Sequence, residues 1–245
     1  MKNISNNINN SRSDKMKNKG KYMESVVISL GGSVINPGKP DTKKILSLAN
    51  IFNSFKGKMA ITTGGGSYAR IYADCIREIS KNEFFADEIG ILETRQNAML
   101  VIPALKNACP YVVQDFREAI SLLNTYNIVV MGGFMPGITT DAVAVMLAEV
   151  IKAKRLVNIS NINGIYDRPP NEKGAKKLDK LSLQELLELA YEYDKRKAGT
   201  HFIFDVLACK LALRAGIEIH FVSSEEEEVR NALNGRKHNG SIAYA

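Results

Sequence analysis

From Ser25 onward the chain repeats one pattern: a short β-branched run, a polar or glycine-rich turn, then a stretch with helical spacing. The runs are "SVVISL" (25–30), "KMAITT" (58–63), "YVVQ" (111–114), "NIVVM" (127–131), "RLVNIS" (155–160) and "IEIHFV" (217–222). Several are apolar on both faces, as parallel strands covered by helices on each side must be. Helical periodicity fills the intervals near 41–55, 67–80, 86–107, 116–125, 141–152, 182–193, 204–215 and 224–234. This alternation predicts an α/β fold, a three-layer α/β/α sandwich around a mainly parallel open sheet. Thr140 is placed as a helix N-cap with Asp141 in the positive first turn, and Gly216 as the residue that ends a helix. The irregular stretch 163–180, with "DRPPNEKG", reads as a surface loop or hairpin.

Four strand ends carry chemistry-bearing loops: "LGGSV" (30–34), "TTGGGSYAR" (62–70), "MGGFMPGITTDA" (131–142) and "SNINGIYD" (160–167). In an open parallel sheet, ligands bind beyond the carboxyl ends of the strands, so these loops are expected at one edge. Glycine there lets backbone N–H groups approach an anion without a Cβ in the way. A helix N-terminus behind the loop adds partial positive charge. One such loop is a turn; several converging suggest a ligand with several phosphates. Gly64, Gly66 and Ala69 also satisfy a dinucleotide fingerprint, but the acidic residue at the right distance, Asp87, begins a helical stretch rather than ending a strand. A nicotinamide-binding reading therefore fails on context.

The net charge of +7 is concentrated in residues 1–22, which carry +5 and leave +2 for the rest. The basic balance thus belongs to an Asn-, Lys- and Ser-rich extension, expected to be disordered, and gives no sign of a nucleic-acid groove in the body. That extension lacks the apolar core of a secretory signal. Three cysteines, Cys75, Cys109 and Cys209, are odd in number and far apart, which predicts buried free thiols in a reducing compartment. No apolar run approaches the roughly 18 residues of a membrane span. A cytoplasmic protein without membrane partners is expected. His201, His220 and His238 show no metal spacing or visible partner, and "SSEEEEV" (223–229) reads as an acidic helix start.

In order and spacing, "VISLGGSVI", "TTGGGSYAR", "ADEIGILETRQNAML", "MGGFMPGITTDAVAVMLAE" and "SNINGIYD" resemble the amino acid kinase superfamily, and within it the archaeal-type uridylate (UMP) kinases. The likeness covers about 25–245 and implies one carbamate kinase-like domain over 23–245, binding UMP in its N-terminal part and ATP in its C-terminal part. It implies transfer of the γ-phosphoryl of MgATP to UMP, in pyrimidine nucleotide biosynthesis, with Mg2+ held mainly by the ATP phosphates. Gly32, Ser33, Gly66, Ser160, Asn161 and Tyr166 match ATP-side positions. Gly65, Asp87 and the loop Phe134, Met135, Pro136, Gly137, Ile138, Thr139 and Thr140 match UMP-side positions. Arg70, counted with the catalytic and ATP-side positions, would clamp the UMP phosphate, a task suited to a guanidinium fork. Asp141 matches the carboxylate that orients a catalytic lysine, and Lys210 a lysine at the phosphates. The family's assembly implies a hexamer built as a trimer of dimers.

Two positions depart from the family. Ser29 stands where many members carry a lysine, and Pro169 where an acidic ATP contact is usual, with Asp167 as a substitute. Isopentenyl phosphate and acetylglutamate kinases share the glycine loops. The former show a histidine at the position of Ala69, and Arg70 favours a phosphate monoester over acetylglutamate. A non-catalytic nucleotide sensor or storage protein would also fit the scaffold.

Overall fold

The computed structural model describes residues 24–194 and 204–245. The basic extension and His201 lie outside them. Strands β1 (Ser25–Leu30), β2 (Lys58–Thr63), β3 (Ile128–Met131), β4 (Arg155–Ser160) and β8 (Ile219–Ser223) all run parallel. With β7 (Lys180–Ser182) and β9 (Ser241–Tyr244) they form one seven-stranded sheet in the order β3-β2-β1-β4-β8-β9-β7. β9 pairs antiparallel to β8 and parallel to β7. The short strands β5 (Ile165–Tyr166) and β6 (Lys177–Leu178) form a separate hairpin, as the irregular stretch led us to expect.

Strand periodicity splits the core in two. Val26, Ile28 and Leu30, with Met59, Ile61, Val157 and Ile159, face a cluster under α2 (Thr42–Ser54) and α9 (Glu226–Leu233). Val27, Ala60, Val129 and Leu156 face the other cluster, under α6 (Thr140–Val150), α7 (Leu183–Asp194) and α8 (Val206–Ala215). Helices therefore cover both faces, the three layers expected. α6 is the most enclosed, with Ala142, Val143, Ala144, Val145, Leu147 and Ala148 all buried. α3 (Gly66–Ser80) lies against α4 (Glu83–Val101), and Arg77 bridges their junction by pairing with Asp74 and Glu83.

Several local expectations need correction. "YVVQ" is not a strand: the chain touches β3 at isolated bridges, Ala108 to Ile128 and Val113 to Met131, before Asp115 caps α5 (Phe116–Leu122). α4 ends at Val101, where Pro103 tightens the next turn into a 3-10 helix. The N-cap of α6 is Thr139, whose Oγ1 accepts from the Ala142 N–H; Thr140 is the first helical residue. The short helix α1 (Gly32–Ile35) and strands β7 and β9 carry too few residues for periodicity to reveal. Cys109 and Cys209 are buried and free, but Cys75 is exposed. Gly216 does end α8, at φ +63. Acidic side chains do fill the first turn of α9. Among the described residues no helix is long and apolar enough to cross a membrane.

Candidate active site

β3, β2, β1 and β4 are neighbours, so parallel pairing brings their carboxyl ends, and the four loops, to one edge. The first two loops pack backbone against backbone. A Cβ added to Gly32 would lie 2.0 Å from the Gly66 nitrogen and 2.6 Å from the Gly64 carbonyl carbon. Gly66 itself has φ +72, a conformation that glycine adopts without steric cost. Beside this junction opens a cleft of about 550 Å³.

The cleft gathers Gly32, Ser33, Gly65, Gly66, Arg70, Asp87, Met135, Ile138, Thr139, Thr140 and Asp141 from the sequence expectation. Asp87, on α4, accepts a 2.8 Å hydrogen bond from the Gly137 N–H and so fastens the 134–140 loop across the cleft. Arg70 is the fifth residue of α3, exposed, with one loose 3.4 Å contact to Ser67 Oγ. Its guanidinium is largely uncommitted. Phe134 turns away and packs its ring 5.0 Å from that of Phe116. Pro136 and Gly137 complete the loop without lining the cleft.

At the floor, β1 and β4 are in register so that Ser29 and Asn158 are partners, both facing α6. Ser29 Oγ and Asn158 Nδ2 donate to the same oxygen, Asp141 Oδ1, at 2.6 and 3.0 Å. The departure at Ser29 now has a structural meaning: among the described residues the carboxylate has two neutral donors and no cation. Burial pushes its pKa up to about 6, helped by the charge of Asp205 and opposed by the two donors. Asp141 is only partly exposed, at the mouth of a polar row roofed by α6.

The ATP-side residues are placed differently. Ser160 Oγ accepts from the Ile162 N–H and donates to the Ile162 carbonyl, closing its own turn. Asn161 reaches back to the Ser33 carbonyl at 3.5 Å, joining the fourth loop to the first. Tyr166 lies half-buried on the hairpin opposite Lys177. None of the three lines the cleft. Asp167 spends its carboxylate inside the hairpin, on the Lys176 N–H and Arg168, which holds its pKa below the usual carboxylate range.

Lys210 lies apart from these residues. Ala208, Cys209 and Ala212 turn into the core, which rotates Lys210 outward, and its ammonium sits 5.2 Å over the Tyr191 ring. It does not line the cleft. His220 and His238, which showed no visible partner in the sequence, are partners of each other: His220 Nδ1 and His238 Nε2 are 2.7 Å apart, and His220 Nε2 meets Glu218 at 2.8 Å.

Sequence reasoning passed over Asp205, Thr94 and Asn97. Asp205 caps α8 through the Ala208 N–H, accepts from Thr139 Oγ1 at 2.5 Å and lines the cleft. Thr94 Oγ1 accepts from the Gly133 N–H at 2.6 Å, and its carbonyl receives Thr63 Oγ1 at 2.8 Å. Their spacing was the available signal: Gly90, Thr94 and Asn97 recur at three- and four-residue intervals on one face of α4.

The amino acid kinase family model matches residues 24–223. The chain belongs to that family. Within it, the sequence is 44% identical to the uridylate kinase of Methanocaldococcus jannaschii, covering 86% of this chain and 95% of that protein. It is 40% identical to the uridylate kinase of Thermococcus kodakarensis, over 89% and 98% of the two chains. The crystal structure of uridylate kinase from Archaeoglobus fulgidus superposes with a TM-score of 0.80 at 38% identity, covering 89% of this chain and 99% of that one.

Proposed function

We propose that this protein is a UMP kinase that transfers the γ-phosphoryl of MgATP to UMP, giving UDP and ADP, in pyrimidine nucleotide biosynthesis. The observation that carries the reading is one cleft in which paired glycine loops, an uncommitted Arg70 and the Asp87-anchored 134–140 loop face one another, in a chain 44% identical to an archaeal uridylate kinase. Phosphoryl transfer needs positioning and charge stabilisation rather than covalent chemistry, and these residues supply both.

In this reading Arg70 clamps the UMP phosphate, Asp87 receives the ribose hydroxyls, and Met135 to Thr140 enclose the uracil side. Gly32 and Ser33 hold the ATP phosphates, Gly65 and Gly66 donate between the two nucleotides, and Ser160, Asn161 and Tyr166 form the ATP nucleoside side. Lys210 is not assigned a part, since its ammonium is engaged elsewhere. Mg2+ on the ATP phosphates would neutralise their charge. Asp141 and Asp205 are two of the carboxylates that line the cleft, and their hard oxygens are a donor type suited to that ion.

Residues 23–245 act as one catalytic domain, in the cytoplasm. A homo-oligomer is supported by the large apolar side chains that α3 and α4 leave exposed, Ile71, Tyr72, Phe84, Phe85, Leu92 and Met99. The test is ADP release from MgATP with UMP, CMP, isopentenyl phosphate or N-acetylglutamate as acceptor, in wild type and Arg70→Ala. Turnover with UMP, reduced at least about 100-fold in the variant, is the expected result. Turnover with another acceptor overturns the substrate. ATP binding without turnover favours the sensor reading.

A further inference from the structure

Asn97 lies on α4 and is 2% exposed. Its side-chain amide donates to two successive carbonyls of the second glycine loop, Gly64 O at 2.8 Å and Gly65 O at 3.1 Å. No peptide in the described chain is cis. In a trans peptide the carbonyl and the following N–H point in opposite directions. Drawing the carbonyls of Gly64 and Gly65 toward α4 therefore turns the N–H groups of Gly65 and Gly66 away from it, on the side where both residues line the cleft.

The backbone angles agree. Gly65 is right-handed at φ −82, ψ −24, and Gly66 follows at φ +72. Right-handed then left-handed residues make successive N–H groups converge into an anion-binding concavity. The next N–H along, that of Ser67, is taken by the Asn36 carbonyl, while the loop and cap hydrogen bonds of the described residues include no acceptor for the Gly65 or Gly66 N–H.

We propose that Asn97 is a positioning residue for phosphoryl transfer: by holding both carbonyls it presets two N–H donors toward the charge that develops between the nucleotides. The inference rests on the phosphotransferase reading, but the donors themselves are testable with phosphate alone. Donors fixed before reaction cost no reorganisation in the transition state, so their loss falls on turnover more than on binding.

The first test compares Asn97→Ala with Ala98→Gly, which weakens the same helix at the next position, about 100° around its axis, where Ala98 packs in the core rather than bonding to the loop. Asn97→Ala should lower kcat by about 10- to 100-fold, with KM for UMP and for MgATP each changing less than about threefold. Ala98→Gly should keep kcat within about twofold at a comparable loss of melting temperature. A loss of kcat no greater than that of Ala98→Gly overturns the proposal. The second test needs no variant and no turnover. In wild-type protein labelled with 15N-glycine, inorganic phosphate should move the Gly65 and Gly66 amide protons downfield. Shifts without turnover on UMP leave the donors standing and remove the acceptor; absence of both shifts overturns the proposal whatever the acceptor.

Discussion

Replacing Asp141 by Asn should make the protein more stable and less active, and the size of the gain follows from its surroundings. Both donors to this side chain, Ser29 and Asn158, use Oδ1. The asparagine carbonyl can occupy that place and keep both bonds. What disappears is a carboxylate whose pKa rises from 3.8 to about 6, chiefly through burial. A rise of about two pH units corresponds to roughly 3 kcal/mol, and water reaching the cleft mouth reduces this to about 2 kcal/mol at pH 8. The sign follows from proton binding. Between 3.8 and about 6 the folded state holds the proton more tightly, so stability is greatest in acid and is lost as pH rises through 6. The advantage of Asp141→Asn should therefore shrink to about half at pH 5. Urea denaturation of both proteins at pH 8 and pH 5 measures it, and the difference between them cancels other titrating groups. A variant less stable than wild type at pH 8, or a gain that does not shrink in acid, would refute the argument. A destabilising charge retained at a cleft floor fits the opposition of stability and function found at active sites, and ADP release by the variant should fall.

Gly32→Ala should disrupt the junction of the two glycine loops, because its Cβ would meet backbone at 2.0 Å. A loss of roughly 3 kcal/mol or more is expected in chemical denaturation; an alanine tolerated without loss of stability or turnover would contradict that packing. The histidine pair should make the fold acid-sensitive. The Gly240 N–H donates to His238 Nδ1, so the His238 proton is on Nε2, directed at His220 Nδ1, and His220 Nε2–H donates to Glu218. Burial is the largest cause lowering both pKa values, opposed by Glu218 at His220 and by Glu228 and Glu218 at His238, with Arg155 and Lys177 adding repulsion. The unfolded chain takes up these protons near 6.5 and the folded chain only at lower pH, so this stability is present above 6.5 and lost as pH falls through the folded values. His238→Gln should flatten the decline in melting temperature between pH 7.5 and 5.5; the same slope in both proteins would contradict the neutral-pair assignment.

Much of this protein was determined by local sequence. The alternation of β-branched runs with helical spacing was enough for the layers, because periods of two and 3.6 residues report which faces must be buried. Glycines at strand ends marked the loops that meet at the cleft, and the motif order marked the family. Arg70 and Asp87 were marked by their match to the family's motifs, and both line the cleft. Only the tertiary structure decided the rest. Ser29 and Asp141 are 112 residues apart, and they meet because parallel register and the approach of α6 put them on one face. Lys210 matched a family position, yet the packing of its own helix turned it toward Tyr191. Asn97 looked like one polar residue on a long helix until the glycine loop descended onto it. The two histidines were unremarkable apart and became partners when the segment after α9 returned the chain to β8. Residue spacing fixes where a side chain leaves its own element; only the packing of distant elements fixes what it meets.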